Sequence, residues 1–410
     1  MVNNDNKGIQ KAVILWLSGV RLEDIRELPG ATQLIEQGAM VELESLPIVG
    51  ARNQHYQVLS GRDASAFGFF DTIMPRGYSV TEGLAGRGAT PPLLPDLLRN
   101  VGWTVQYEEV QAAELAACLE RGIRLASALP SCLIVKCAVG SLLNTQTFNK
   151  ALRIAQEWVG EMGLLAVLSD TQPANVARFV NVNNFLAEMG VIERDEESGQ
   201  VNWPNSLAYF AGHGQLWVNL LGRDSQGAVN PRGEYEEVRD TLIKVLPTKL
   251  RDHATGDPVI ERVYRKEDLY APEYLFCAPD LVALFKVGYA PSPRSTRIDF
   301  DETTFTAPGV GVTVMEGVHP AMVGGFLLAT APSLARGMAI SERASLTAVL
   351  PTLLHALGVE SADVEKTAIG ELFAPTYLET HPIHSFAQMQ ELTEEDEELI
   401  INRLRDLGYV

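Results

Sequence analysis

The chain has 410 residues, of which 46% are hydrophobic and 21% charged, a composition that excludes a disordered or fibrous protein. Thirty-three basic residues against 52 acidic ones leave a net charge of -19, which argues against a nucleic-acid or anionic-membrane partner, because phosphate surfaces reward Lys and Arg. At about 150 residues per domain the length suits two or three domains, or one large α/β domain with an insertion. No apolar run approaches the roughly 20 residues of a membrane span, and Met1 to Lys11 is polar, so a cytoplasmic location is expected. The four cysteines (Cys118, Cys132, Cys137, Cys277) show no CxxC spacing and read as buried free thiols rather than a zinc site or disulfides.

In chain order, Lys11 to Leu17 is a nearly continuous apolar run ending at Ser18-Gly19, the pattern of a strand buried on both faces. Leu22 to Gly38 carries helical spacing, with Gly38 as the expected C-cap. Met40 to Leu46 alternates as a strand, and Asn53 to Ser60 reads as a helix closed by Gly61. Further helices are predicted over Pro92–Val101 and Thr145–Met162, and strands over Thr104–Tyr107, Ser131–Cys137 and Leu164–Leu168. Strands alternating with helices imply a parallel sheet covered on both faces, whose ligands bind at the carboxyl ends of the strands. From about Phe185 to Gly288 turns and charges multiply, the texture of an inserted subdomain. The α/β pattern resumes with Gly325–Thr330 and the helix Leu346–Leu357, and Glu391–Leu407 is an acidic, then amphipathic, terminal helix. The expected division is therefore a core over 1–185, an insert over 186–300, and core completion over 301–410.

Several segments, in this order, carry a family likeness. They are Val13-Ile-Leu-Trp-Leu-Ser-Gly-Val-Arg21, Leu28 to Gly38, His55-Tyr-Gln-Val-Leu-Ser-Gly-Arg62 and Val167-Leu-Ser-Asp170. Later come Asn181 to Gly190, Val218-Asn-Leu-Leu-Gly-Arg223, Ala278-Pro-Asp-Leu281, Gly317-Val-His319, Leu350 to Gly358 and Ile401 to Tyr409. Together they resemble the type I phosphodiesterase/nucleotide pyrophosphatase family of the alkaline phosphatase superfamily. The resemblance implies an α/β fold, a mostly parallel sheet sandwiched by helices with an inserted subdomain. It also implies a two-zinc site with about six ligands and a Thr or Ser nucleophile.

Position by position, most of that chemistry is missing. The first-strand aspartate falls at Ser18 and the nucleophile at Ala51, which has no oxygen to attack with. The middle Asp and His ligands fall in Val135–Asn144, which has neither, and the histidine beside Asp170 is replaced by Thr171. Asp170 and His319 remain as remnant ligands. Arg52 and Lys136 enter nearby, and a fixed cation is expected to pair with Asp170. The expectation is a degenerate member with no zinc, no confident catalytic residue and a binding, regulatory or assembly role. Its pocket would be lined by Ser18, Arg52, Asn53, Asp170 and His319, and its partner would be a protein or an anionic small molecule.

Two alternatives keep an enzyme. In one, two Zn2+ are retained in a rearranged site with Asp63, Asp71 or His213 as replacement ligands. In the other, Asp170 and His319 carry out metal-free acid–base chemistry on an anionic metabolite. Side by side with these stand plainer readings: His55 in packing, His213 in a turn, His355 in the core, and Asp170 as a loop brace.

Overall fold

The computed structural model describes residues 8–44, 51–71, 73–82, 91–126, 128–138, 145–171, 174–195, 197–307, 313–314, 323–359 and 367–383. The apolar run at the start of the chain forms β1 (Lys11–Ser18), whose residues from Ala12 onward are all buried. It lies inside a seven-stranded sheet ordered β18-β2-β17-β7-β1-β6-β5. These strands are β2 (Ala39–Glu44), β5 (Thr104–Gln111), β6 (Ser131–Ala138), β7 (Leu164–Thr171), β17 (Val323–Thr330) and β18 (Met338–Ser345). β5, β6, β1 and β7 run parallel, so their carboxyl ends share one pole. β17 runs antiparallel to both β7 and β2, and β18 pairs parallel with β2.

Side-chain alternation gives the sheet two apolar faces. Ala12, Ile14 and Trp16 face α3 (Ala51–Ser60), α4 (Leu94–Asn100) and α10 (Val349–Ala356). Val13, Leu15 and Leu17 face α1 (Leu22–Arg26), α2 (Thr32–Gln37), α5 (Leu115–Leu125) and α6 (Thr145–Val159). Both faces of the sheet are therefore covered, as a parallel sheet requires.

A third core has a separate sheet, ordered β10-β11-β13-β12. Its strands are β10 (Ala208–Ala211), β11 (Gln215–Val218), β12 (Ile260–Arg265) and β13 (Leu281–Phe285). α7 (Val182–Glu188), α8 (Glu234–Lys249) and α9 (Lys266–Leu269) supply Phe185, Leu246 and Leu269 to that core, and Phe70 joins it from the α3 side. Smaller pairings complete the architecture. β3 (Ile73–Arg76) and β4 (Ser79–Glu82) form a hairpin, and β9 (Arg178–Val180) holds β14 (Tyr289–Pro291) and β15 (Phe305–Thr306). β8 (Ala174–Asn175) pairs with β16 (Thr313–Val314), and α11 (Pro375–Thr380) packs Tyr377 against His355.

The elements differ from the sequence pattern at identifiable points. The helix expected over Leu22–Gly38 is broken: a 3-10 turn at Pro29–Ala31 separates α1 from α2. Gly38 is no left-handed cap, since its φ is -92°; a Cβ there would lie 2.5 Å from the Leu34 carbonyl and 2.9 Å from that of Ala329. The helix beginning at Thr145 stops at Val159 because Gly160 takes a φ of 64°. β5 runs to Gln111, four residues past its expected end, and the helix expected over Leu346–Leu357 begins with a 3-10 turn before α10. The expected terminal helix over Glu391–Leu407 lies outside the described residues.

One buried pair ties the segment after α3 to the turn between β10 and β11. Asp71 is 2% exposed and follows α3; its Oδ1 accepts from His213 Nδ1–H at 2.9 Å. Its Oδ2 accepts from the His213 backbone N–H at 2.9 Å and from Gln215 Nε2 at 2.8 Å. Burial alone would raise the Asp71 pKa, but the charge and hydrogen bonds of His213, with Gln215, hold it below the usual carboxylate value. A depressed carboxylate contributes stability that is present above its unfolded pKa and lost as pH falls through its folded value. We therefore expect the thermal midpoint to fall as pH drops below about 4. Asp71→Asn should flatten that acid limb while lowering the midpoint at neutral pH. Calorimetric scans of both proteins across that range check the sign.

Candidate functional site

The site is built by the parallel register at the carboxyl pole. Trp16 on β1 pairs with Lys136 on β6 and with Leu168 on β7. Two residues further along β1 and β7, on the same face, stand Ser18 and Asp170. Neighbouring strands run about 4.8 Å apart, so these two side chains adjoin at the strand ends. Ser18 is 7% exposed and Asp170 1% exposed. α3 covers this face, and its His55 ring stacks on Trp16, with centroids 5.0 Å apart and planes inclined by 19°.

Of the two cations expected near Asp170, Lys136 does not pair with it, and the Arg52 side chain lies outside the described residues. The Lys136 ammonium donates to His55 Nδ1 at 2.8 Å, lies 4.8 Å from the Trp16 ring centroid, and faces Glu109 at 3.8 Å. An ammonium has donors only, so His55 accepts at Nδ1 and carries its ring proton on Nε2. His55 thus does more than pack: it fixes the lysine. Glu109 is held in turn by the Tyr107 hydroxyl, which donates to it at 2.7 Å. Burial first, then the neighbouring Glu109 and Asp170 carboxylates, push the Tyr107 phenol well above its ordinary value.

Asp170 is left out of this network. Among the described residues no ion pair or side-chain hydrogen bond reaches it, and its buried Oδ1 has no partner. The Ser18 hydroxyl and the Trp16 indole N–H, on the same face, are also buried without partners. Thr171, which ends β7, is buried; its carbonyl accepts from Gly19 N–H at 3.2 Å and from the Ser169 hydroxyl at 2.8 Å.

The remaining predicted residues fall elsewhere. Ala51, Arg52 and Asn53 open α3, with their side chains outside the described residues. His319 and the loop 139–144 also lie outside them. Asp71 and His213 bind one another, while Asp63 caps the turn at Ala64–Phe67 by accepting from Ser65 N–H at 2.7 Å. Each of those three side chains is therefore already bonded where it stands. His355 packs edge-on against Phe373 and Tyr377. None of the four cysteines forms a disulfide; Cys277 is half-buried, and burial pushes the Cys137 thiol up to about 11 and Cys132 to about 12.

A two-zinc centre needs several carboxylates and imidazoles converging on each ion. Among the described residues no group of three or more His, Cys, Asp or Glu side chains is placed to hold a metal ion. The described donors at the strand ends are one hydroxyl and one carboxylate, with an ammonium on the adjoining strand. That donor set does not fit a pair of zinc ions.

No protein-family model matches the sequence, and no curated protein sequence matches it. Solved structures do. An inactive variant of murine ectonucleotide pyrophosphatase/phosphodiesterase 5, in complex with AMP, superposes with a TM-score of 0.53 at 14% identity. The match covers 86% of this chain and 96% of that one. The fold is alkaline-phosphatase-like. Human ectonucleotide pyrophosphatase/phosphodiesterase 5 matches in the same way, with a TM-score of 0.50 at 13% identity over 92% of this chain and 100% of the other. Identities this low speak for the shared architecture and leave the site to its own residues. Among the described residues, no helix is long and apolar enough to cross a membrane.

Proposed function

We propose that this protein is a phosphodiesterase-like scaffold that has lost two-metal phosphoryl transfer and works by binding. The role is that of a regulatory or assembly component whose insert, over 186–300, adds surface to the core. The observation that carries this reading is the Ser18–Asp170 corner: a hydroxyl replaces one acidic ligand, and the surviving carboxylate stands without a second described ligand beside it. Ala51, at the start of α3, supports it, because a methyl group cannot form the covalent phosphoryl intermediate.

Two measurements on protein purified without chelator test it. Mass-spectrometric metal analysis should find zinc far below two equivalents per chain. Hydrolysis of bis(4-nitrophenyl) phosphate with added Zn2+ should not exceed the buffer rate. Two bound zinc ions together with turnover would overturn the reading.

A further inference from the structure

Asp170 is 1% exposed, and among the described residues its Oδ1 has no partner, an expensive arrangement because buried carboxylates are normally ion-paired or bonded to a ligand. The donors on the same sheet face do not serve Asp170. Lys136 is spent on His55 and Glu109, and the Tyr107 hydroxyl on Glu109. The Ser18 hydroxyl beside it is likewise buried and unbonded. Across the face, the described charges are the two carboxylates of Asp170 and Glu109 against the single ammonium of Lys136. Among the described residues the corner therefore has acceptors to offer and an excess of negative charge.

We propose that the Ser18–Asp170 corner binds the primary ammonium group of a small organic amine. Asp170 supplies the counter-charge and one acceptor, and Ser18 Oγ supplies a second acceptor on the next strand. An ammonium matches this better than a divalent metal ion, which needs more anionic ligands than one, and better than a phosphate, which Asp170 would repel. The aromatic rings of Trp16, His55 and Tyr107 give the neighbourhood an apolar wall suited to the carbon skeleton of an amine. This inference rests on the reading that the site holds no pair of zinc ions.

The test is thermal unfolding of chelator-treated full-length protein. The probes are ethylammonium, ethanolammonium and 1,4-diaminobutane at matched ionic strength, with ZnCl2 and AMP as separate arms. A saturating amine should raise the midpoint by about 3 °C for a chain of this length. Asp170→Asn should abolish the shift and, by removing an uncompensated buried charge, should raise the midpoint of the free protein. Lys136→Met should enlarge the amine shift, because it removes the only described cation on that face.

The inference is overturned if all three amines are inert, if the shift survives Asp170→Asn, or if that variant is less stable than the parent. It is also overturned if only AMP or zinc gives a shift that depends on Asp170. Zinc content measured on the untreated sample keeps the two failures apart. Two equivalents of zinc would sink the underlying reading, whereas zinc-free protein with inert amines would sink only this one.

Discussion

Replacing Asp280 by Ala should destabilise the protein by about 3–5 kcal/mol, the cost of breaking a buried carboxylate out of its ion pair and hydrogen bonds, although Arg223 keeps Asp224 as a second partner at 3.2 Å. Asp280 is fully buried at the entry to β13 and collects donors from four directions. Arg223 grips it in a fork, Nη1 to Oδ1 and Nη2 to Oδ2, each at 2.9 Å. Tyr235 from α8 donates to Oδ1 at 2.8 Å, and the Val218 N–H of β11 donates to Oδ2 at 2.8 Å. Lys266 at the start of α9 lies 3.5 Å away. Burial alone would make the Arg223 guanidinium easier to deprotonate, but Asp280 outweighs it and holds the pKa above the ordinary value.

One carboxylate thus binds the 220s loop, α8 and α9 to the four-stranded sheet β10-β11-β13-β12. Asp280→Asn keeps the shape and an acceptor oxygen but loses the charge and half of the fork, so a smaller loss of about 1.5–3 kcal/mol is expected. Differential scanning calorimetry of the two variants orders them. An alanine variant as stable as the parent would mean that the fork contributes nothing net.

The strand skeleton of the core was largely legible, because burial on both faces leaves a simple trace. From Ala12 to Leu17 the run leaves room for no charged side chain on either face, and Leu164–Leu168 repeats that pattern. Once those strands are parallel neighbours, their ends must share a pole, which is why Ser18 and Asp170 were foreseeable companions. What escaped the sequence are choices between partners distant along the chain. Lys136 had Asp170 in prospect, yet it bonds to His55, 81 positions away, because α3 lays the imidazole over Trp16 on the same face. Asp71 and His213 lie 142 positions apart, and nothing local to either announces the pair. His213 between two glycines signalled a turn, correctly as far as it went; Gly212 and Gly214 have φ values of 56° and 131°. The break between α1 and α2 was visible in Pro29-Gly30, but helical spacing on either side masked it.

Gly325→Ala should be as damaging as the loss of Asp280, about 3 kcal/mol or more, although the glycine's φ is unexceptional. A Cβ at this position would stand 1.8 Å from the Ser169 carbonyl oxygen and 3.0 Å from the Asp170 N–H nitrogen. Both are backbone atoms of β7, which no rotamer change can move aside. The β17–β7 register breaks between Val323 and Phe326, so Gly325 sits where the antiparallel strand crowds its neighbour, at the base of the Asp170 corner. Gly102→Ala is the informative control. Gly102 has a φ of 91° and nothing within 4 Å of a Cβ, so only left-handed strain of about 1–2 kcal/mol is expected there. If the two alanine variants unfold at the same temperature, close approach at β17 is not what this glycine serves. If Gly325→Ala alone collapses, the spacing between β17 and β7 is what holds the end of β7, and with it the Asp170 carboxylate, in place.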